Sequence, residues 1–287
     1  MTKTIGLLHP GQMGAAIGAQ LRAGGARVLW CPDGRSDASL RRAQEAGFES
    51  RSLMALVEES EVIVSLVPPA HAEATAEVIR GEGFDGIYVE ANAIRPGRVE
   101  AIASMMTGVS VVDSCVIGAP PVDHAPNTPT RVFASGPDEP LAQLGELFTD
   151  TAVQFRALGS QIGGASGLKT AQAAVQKGSR MLAALGHALA ADYGVGEAVT
   201  DSVQGWAHPA ADPTELPPLA SRAWRWEPEM RDTARALNEA GLPAEVIEAI
   251  ADTIKAWEPF KDRTDTDLND VLTALHRPEG GSDEEVF

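Results

Sequence analysis

The chain has 287 residues, 44% of them apolar, enough for two domains of ordinary size and more than one core. Its 40 acidic side chains outnumber 23 basic ones, for a formal charge of −17. That balance repels phosphate backbones and anionic lipid headgroups alike and argues against nucleic-acid and membrane partners.

Lys3 precedes only a short apolar run before Pro10 and Gly11, which does not read as a signal peptide. No run approaches the roughly 20 apolar residues of a membrane span, so a soluble protein is expected. The two cysteines, Cys31 and Cys115, are too few for a disulfide framework and lack zinc-site spacing. The expectation is two buried thiols, no metal and a reducing cytoplasm.

In chain order, "TIGLLH", "ARVLWC", "EVIVSLV", "GIYVEA", "VSVVDSCV", "TRVFAS" and "TAVQFRAL" read as strands alternating with helical patterns. This rhythm predicts an α/β domain over residues 1–157, a doubly wound, mostly parallel sheet of the Rossmann type. From "GGASGLKTAQAAVQKGSRMLAALGHALAADYGV" onward, apolar residues recur at three- and four-residue spacing, predicting an all-α domain over 158–277. Residues 167 to 193 read as one long interdomain helix, near 40 Å if wholly helical. "HPAADPTELPP" reads as a proline-rich loop, and the acidic tail 278–287 as disordered.

The stretch "TIGLLHPGQMGAAIGAQL" raises the first functional reading. Gly11 and Gly14 hold the second and third positions of G-x-G-x-x-G, with Gln12 and Met13 between them and Gly18 one turn on, but His9 stands at the first. The first glycine serves mainly turn geometry, so an ordinary φ tolerates a larger residue, and Pro10 stiffens the turn without removing a needed donor. The helix N-terminus then faces an anion. Alone, the imperfect motif is equally a structural glycine turn.

An NAD-selective site usually ends its second strand with Asp or Glu; here "RVLWC" is followed by "PDGRSD". Arg35 and Ser36 offer a guanidinium fork and a hydroxyl suited to a 2′-phosphate, with Arg41 and Arg42 further on, which favours NADP(H). Asp33 turned inward as a ribose acceptor would instead give NAD, and a capped, solvated loop remains the plain alternative.

Together with "SLVPPAH", "VEANAIRPG", "VDSCVIGAPP", "GGASGLKTAQAAVQKG" and "RAWRWEPEM", the turn resembles the β-hydroxyacid dehydrogenase superfamily. The superfamily includes 6-phosphogluconate and 3-hydroxyisobutyrate dehydrogenases and the imine reductases. The likeness looks nearest to a 6-phosphogluconate dehydrogenase-like branch with a distinct C-terminal helical domain of unknown function. It implies that Val67, Pro68 and Pro69 line a nicotinamide pocket and that Asn92 reaches its side. It further implies that Ile117, Gly118 and Ala119 belong to the substrate segment, and that Lys169 is the general acid/base. A lysine desolvated beside NADP⁺ would have its pKa pushed towards neutrality, which suits that role.

Two departures bear on substrate. The family's asparagine four residues after the lysine is Ala173, for which Gln172 or Gln176 would compensate on nearly the same helical face. The dehydrogenases' serine is Ile117, which leaves a less polar pocket of the kind the imine reductases have.

The sequence therefore reads as an NADP-dependent oxidoreductase moving hydride to or from a small carbonyl or hydroxy compound, with Lys169 as acid/base, assembled as a homodimer. An imine reductase and a non-catalytic NADP-binding sensor or scaffold are the alternatives. Trp206, Trp224, Trp226 and Met230 read as core packing before an aromatic wall; His71 reads as a helix start near the pocket, and His208 lies in the proline-rich loop.

Overall fold

The computed structural model describes residues 2–121, 129–205, 212–239 and 241–276. The chain divides into two compact units, Met1–Thr170 and Ala171–Phe287.

The first unit is built on an eight-stranded sheet: β1 (Thr4–Leu7), β2 (Arg27–Trp30), β3 (Glu49–Ser50), β4 (Val62–Ser65), β5 (Ile87–Glu90), β6 (Ser110–Ile117), β7 (Thr130–Ser135) and β8 (Val153–Ala157). Its order is β3-β2-β1-β4-β5-β6-β7-β8. Every pairing is parallel except β6 with β7. All seven predicted strands are present; β3 escaped because two exposed polar residues carry no apolar signal.

Helices α1 (Gln12–Ala23), α2 (Asp37–Glu45), α3 (Leu53–Glu59), α4 (Ala72–Gly81), α5 (Pro96–Met105) and α6 (Asp138–Glu146) flank the sheet. β4 is buried along its whole length, as a strand covered on both faces must be. Its alternate residues feed two cores: Val62 and Val64 join Leu7, Ile17 and Trp30 on one face, while Ile63 joins Leu29, Leu56 and Tyr88 on the other. β1 is bonded to β2 on one side and β4 on the other, so the winding reverses there, and the crevice at such a reversal is where open α/β sheets bind ligands. Because β1, β2, β4, β5 and β6 are parallel, their carboxyl ends share one edge.

Helix α7 (Gly164–Asp192) carries the chain from one unit into the next. The second unit continues with α8 (Gly196–Ser202), α9 (Leu216–Ala223), α10 (Trp226–Glu239), α11 (Glu245–Ile254) and α12 (Leu268–Thr273). Its core gathers Met181, Leu219, Met230, Ile254, Trp257 and Val271. Trp226 packs against that core. Trp224 instead holds Lys261 Nζ 4.0 Å from its ring centroid and donates through Nε1 to Asp262.

The described part of the proline-rich stretch is not loop. Residues 213–215 form a 3₁₀ turn and α9 follows at once, with Pro217 and Pro218 in its first turn, where a missing N–H costs nothing. Trp206, His208 and the tail 278–287 lie outside the described residues. Among the described residues no helix is long and apolar enough to cross a membrane, and no group of three or more His, Cys, Asp and Glu could hold a metal.

Candidate active site

The turn after β1 shows why its glycines are needed. Gly11 opens α1 as its N-cap, and its N–H donates to the His9 carbonyl at 2.9 Å. A Cβ on Gly14 would stand 2.3 Å from that carbonyl, so only glycine lets the first turn of α1 sit on the His9 backbone. A Cβ on Gly18 would meet the Phe48 ring at 2.5 Å, which fixes how closely α1 packs on the unit's core. Gln12 is exposed and Met13 half-buried in the same turn. His9 is not among the residues with positive φ, so a side chain is tolerated where the motif has its first glycine.

The loop after β2 turns at Gly34, whose φ of +70° suits glycine, and delivers Arg35 and Ser36, both exposed. Ser36 caps α2, accepting from the Ser39 N–H at 3.3 Å. Arg42, one turn into α2, donates from Nε to the Pro10 carbonyl at 3.0 Å and so ties the two loops together. Arg41 and Asp33 are exposed. An open hollow of about 370 Å³ lies here, lined by Leu8, Arg35, Val67, Pro68, His71, Thr75 and Val78 among others. Val67 is buried at its floor and Pro68 exposed at its rim. Pro69 starts a 3₁₀ turn ending at His71, one residue before α4; Arg98 pins that turn, donating to the Pro69 carbonyl at 2.7 Å and pairing with Glu73.

At the end of β5, Asn92 is buried: its N–H donates to Glu90 Oε1 at 3.0 Å and its Nδ2 to Ser65 Oγ at 3.1 Å. Asn92 Oδ1, Glu90 Oε2 and Tyr88 OH are buried without a protein partner. Burial pushes the Glu90 carboxyl up to about 8, against the Asn92 hydrogen bonds and with added repulsion from Asp113 and Glu73. Burial also raises the Tyr88 hydroxyl. Glu90 was not singled out from the sequence, although a lone acid closing an otherwise apolar strand was a usable signal.

The end of β6 carries the substrate segment and, through α7, the lysine. Lys169 Nζ donates to the Val116 carbonyl at 3.2 Å, so the ammonium sits at the carboxyl end of β6. Ile117 is half-buried and Ala119 exposed. Gly118 has φ +121°, and a Cβ there would press on the Thr130 backbone at 3.2 Å, so glycine is required. Thr130 Oγ1 donates to the Ala119 carbonyl at 2.5 Å and holds the segment down.

What places Lys169 is a buried clamp the sequence reading missed. Asp113 Oδ1 accepts from Ser166 Oγ at 2.7 Å, and Oδ2 from Ser166 N at 3.0 Å and Ser135 Oγ at 3.2 Å. Ser135 Oγ in turn accepts from the Ala165 N–H at 3.1 Å. A carboxylate and a hydroxyl from two strands thus cap the first turn of α7, which suits its positive end, and Lys169 follows three residues after Ser166. Burial raises the Asp113 carboxyl, opposed chiefly by the Ser166 hydrogen bonds.

Further along α7, Ala173 is buried in the apolar core of the second unit and offers no polar group. Gln172 is half-buried, its Oε1 enclosed without a partner, and Gln176 is exposed. Both thiols are free and buried, and burial raises each of them.

A model described as a domain of unknown function (DUF1932) matches residues 190–257. No curated protein sequence matches the chain. Among solved structures, 3-hydroxyisobutyrate dehydrogenase from Mycobacterium tuberculosis, determined with L-serine, is 18% identical with a TM-score of 0.74, covering 96% of this chain and 100% of its own. A conserved protein of unknown function, described as structurally similar to 3-hydroxyacid dehydrogenases, is 23% identical with a TM-score of 0.67, covering 90% of this chain and 98% of its own. The reductive aminase from Aspergillus terreus, in complex with NADPH and ethyl levulinate, is 16% identical with a TM-score of 0.55, covering 96% of this chain and 100% of its own. The chain therefore has the 3-hydroxyacid dehydrogenase fold, which the reductive aminase shares, with the DUF1932 match in its C-terminal helical part.

Proposed function

We propose that the protein is an NADP-dependent oxidoreductase that moves hydride between nicotinamide and a small carbonyl or hydroxy compound, with Lys169 as general acid/base. The observation that carries the reading is the placement of Lys169 Nζ at the carboxyl end of β6, held by a buried clamp, on the sheet edge that also bears the glycine turn and Asn92.

The residues present fit the cofactor. The turn at Gly11 opens α1 without a side-chain cap, which leaves N–H groups of its first turn for a pyrophosphate. Arg35 borders the hollow lined by Val67, Pro68 and Val78, and its guanidinium suits a 2′-phosphate; in this proposal Val67 and Pro68 therefore serve the adenosine end rather than the nicotinamide pocket that the resemblance implies. Asn92, held through Glu90 and Ser65, stands just after the carboxyl end of β5, on the sheet edge where the nicotinamide would lie. The bound nicotinamide supplies the hydride in reduction and takes it in oxidation.

In the reductive direction, the Lys169 ammonium donates a proton to the substrate oxygen as negative charge develops there; in the reverse, the amine takes it back. Val116 accepts one Lys169 N–H, which orients the remaining protons. Asp113, Ser135 and Ser166 are positioning residues, since they fix the helix turn that precedes the lysine. Ile117 keeps the substrate segment apolar, which favours substrates with a hydrocarbon face and gives imine reduction a specific footing as second reading.

A homodimer belongs to the proposal: Val175, Leu182 and Val246 leave large apolar surface exposed in the single chain. Light scattering at about 60 kDa, twice the 30.1 kDa chain, supports it, and 30 kDa refutes it. The catalytic test is NADPH oxidation with β-keto acids, semialdehydes and cyclic imines, using wild type and Lys169→Ala. Carbonyl turnover that falls on the order of 10²-fold or more in the variant supports acid catalysis. Turnover of imines alone, insensitive to the substitution, transfers the protein to the second reading; cofactor binding without any turnover leaves a sensor or scaffold.

A further inference from the structure

His9 stands where the glycine motif has its first glycine, and its side chain is placed for more than filling the turn. Its ring atoms Cδ2 and Nε2 lie 3.2 Å from where a Cβ on Gly11 would be, so the imidazole lies over the residue that opens α1. Its Nδ1 is buried without a hydrogen-bond partner. The charges acting on the ring are cationic: Arg35 from the loop after β2, and Arg42 from α2, whose Nε is anchored on the adjacent Pro10 carbonyl. The first turn of α1 contributes no acid. Burial first, and then the two guanidinium groups, lower the His9 pKa and keep the ring neutral in the protein alone.

A neutral imidazole, the charges of two guanidinium groups and the positive end of a 12-residue helix act together at one turn, a combination that favours an anion. A phosphate arriving there reverses the local potential, so the ring gains a proton and donates to a phosphate oxygen while the guanidinium charges are neutralised. Resting on the dinucleotide reading above, we propose that His9 is a phosphate-binding residue of the cofactor site and takes up a proton as the cofactor binds. In this chain a titratable contact thus replaces the backbone-only first position of the motif.

The test is isothermal titration of NADPH and NADH into the full chain, in buffers of different ionisation enthalpy, for wild type, His9→Gln and His9→Gly. Melting curves confirm that each variant is folded. The inference predicts that wild type takes up more protons per cofactor than either variant near pH 7. It also predicts that wild-type affinity falls with rising pH by up to on the order of tenfold per unit more than that of His9→Gln. Comparison with the variants cancels the titration of the cofactor's own 2′-phosphate. Extra uptake with both cofactors assigns the contact to the pyrophosphate, and extra uptake with NADPH alone assigns it to the 2′-phosphate; either supports the inference. Equal proton uptake and parallel pH profiles in wild type and variants, with binding intact, overturn it and leave the dinucleotide reading standing. Failure of folded wild type to bind either cofactor overturns both.

Discussion

Replacing Glu90 by Gln isolates one buried proton. The carboxyl is fully buried at the end of β5, with Oε1 accepting from the Asn92 N–H and Oε2 lacking a protein partner. Burial moves it from an ordinary 4.5 to about 8. Below both values the folded and unfolded chains hold the proton equally, and stability does not depend on it. Between them the unfolded chain releases a proton that the folded chain retains, so stability falls as pH rises, and above about 8 the loss is complete. At about 1.4 kcal/mol per unit, the window corresponds to about 5 kcal/mol in all, and roughly 2 kcal/mol between pH 6 and 7.5. Glutamine keeps the shape and the acceptor but cannot ionise. Urea unfolding of wild type and Glu90→Gln across pH 5 to 8.5, followed on the first unit, should show the variant gaining on wild type up to about pH 8 and no further above it. Parallel stability profiles would refute the reasoning, since they would mean that Glu90 ionises in the folded protein as easily as in the unfolded chain.

Ser166→Ala removes the 2.7 Å bond to Asp113 and should cost about 1.5–3 kcal/mol in denaturant unfolding, while lowering kcat more than the KM for NADPH because it loosens the turn before Lys169. Asp113→Ala strands three buried donors and should cost about 3 kcal/mol or more by the same assay. Arg35→Ala should weaken NADPH on the order of tenfold or more and leave NADH nearly unchanged in equilibrium titrations; equal loss for both would remove the 2′-phosphate assignment. Gly14→Ala forces the His9 carbonyl away from a Cβ that would otherwise stand at 2.3 Å, and should cost about 1–3 kcal/mol and weaken both cofactors.

The strands were legible because a sheet covered on both faces writes itself as apolar runs such as "EVIVSLV", and α7 because its spacing persists for 29 residues. β3 has only Glu49 and Ser50 to announce it, and α9 hid behind Pro217 and Pro218, which can end an element or begin one. Within the candidate site, Gly11 and Gly14 could be read from local pattern, and Lys169 only through the resemblance. The clamp could not: Asp113, Ser135 and Ser166 come from three elements and are joined only by the antiparallel pairing of β6 with β7 and the return of α7. Arg42 belongs to the same class, since its reach to Pro10 depends on how α2 packs beside the glycine turn. A buried acid such as Glu90 is visible as a residue type out of place, but its value for the site appears only when Asn92 is found hanging from it.

The proposed activity depends first on the glycine turn and its neighbouring arginine forming a nicotinamide-dinucleotide site. Titrating the full chain with NADPH and then NADH, while following the reduced nicotinamide's fluorescence, tests that claim most directly. Saturable binding at micromolar NADPH, tighter than NADH and weakened in Arg35→Ala, is the predicted result. No saturable binding of either dinucleotide by folded protein would contradict it.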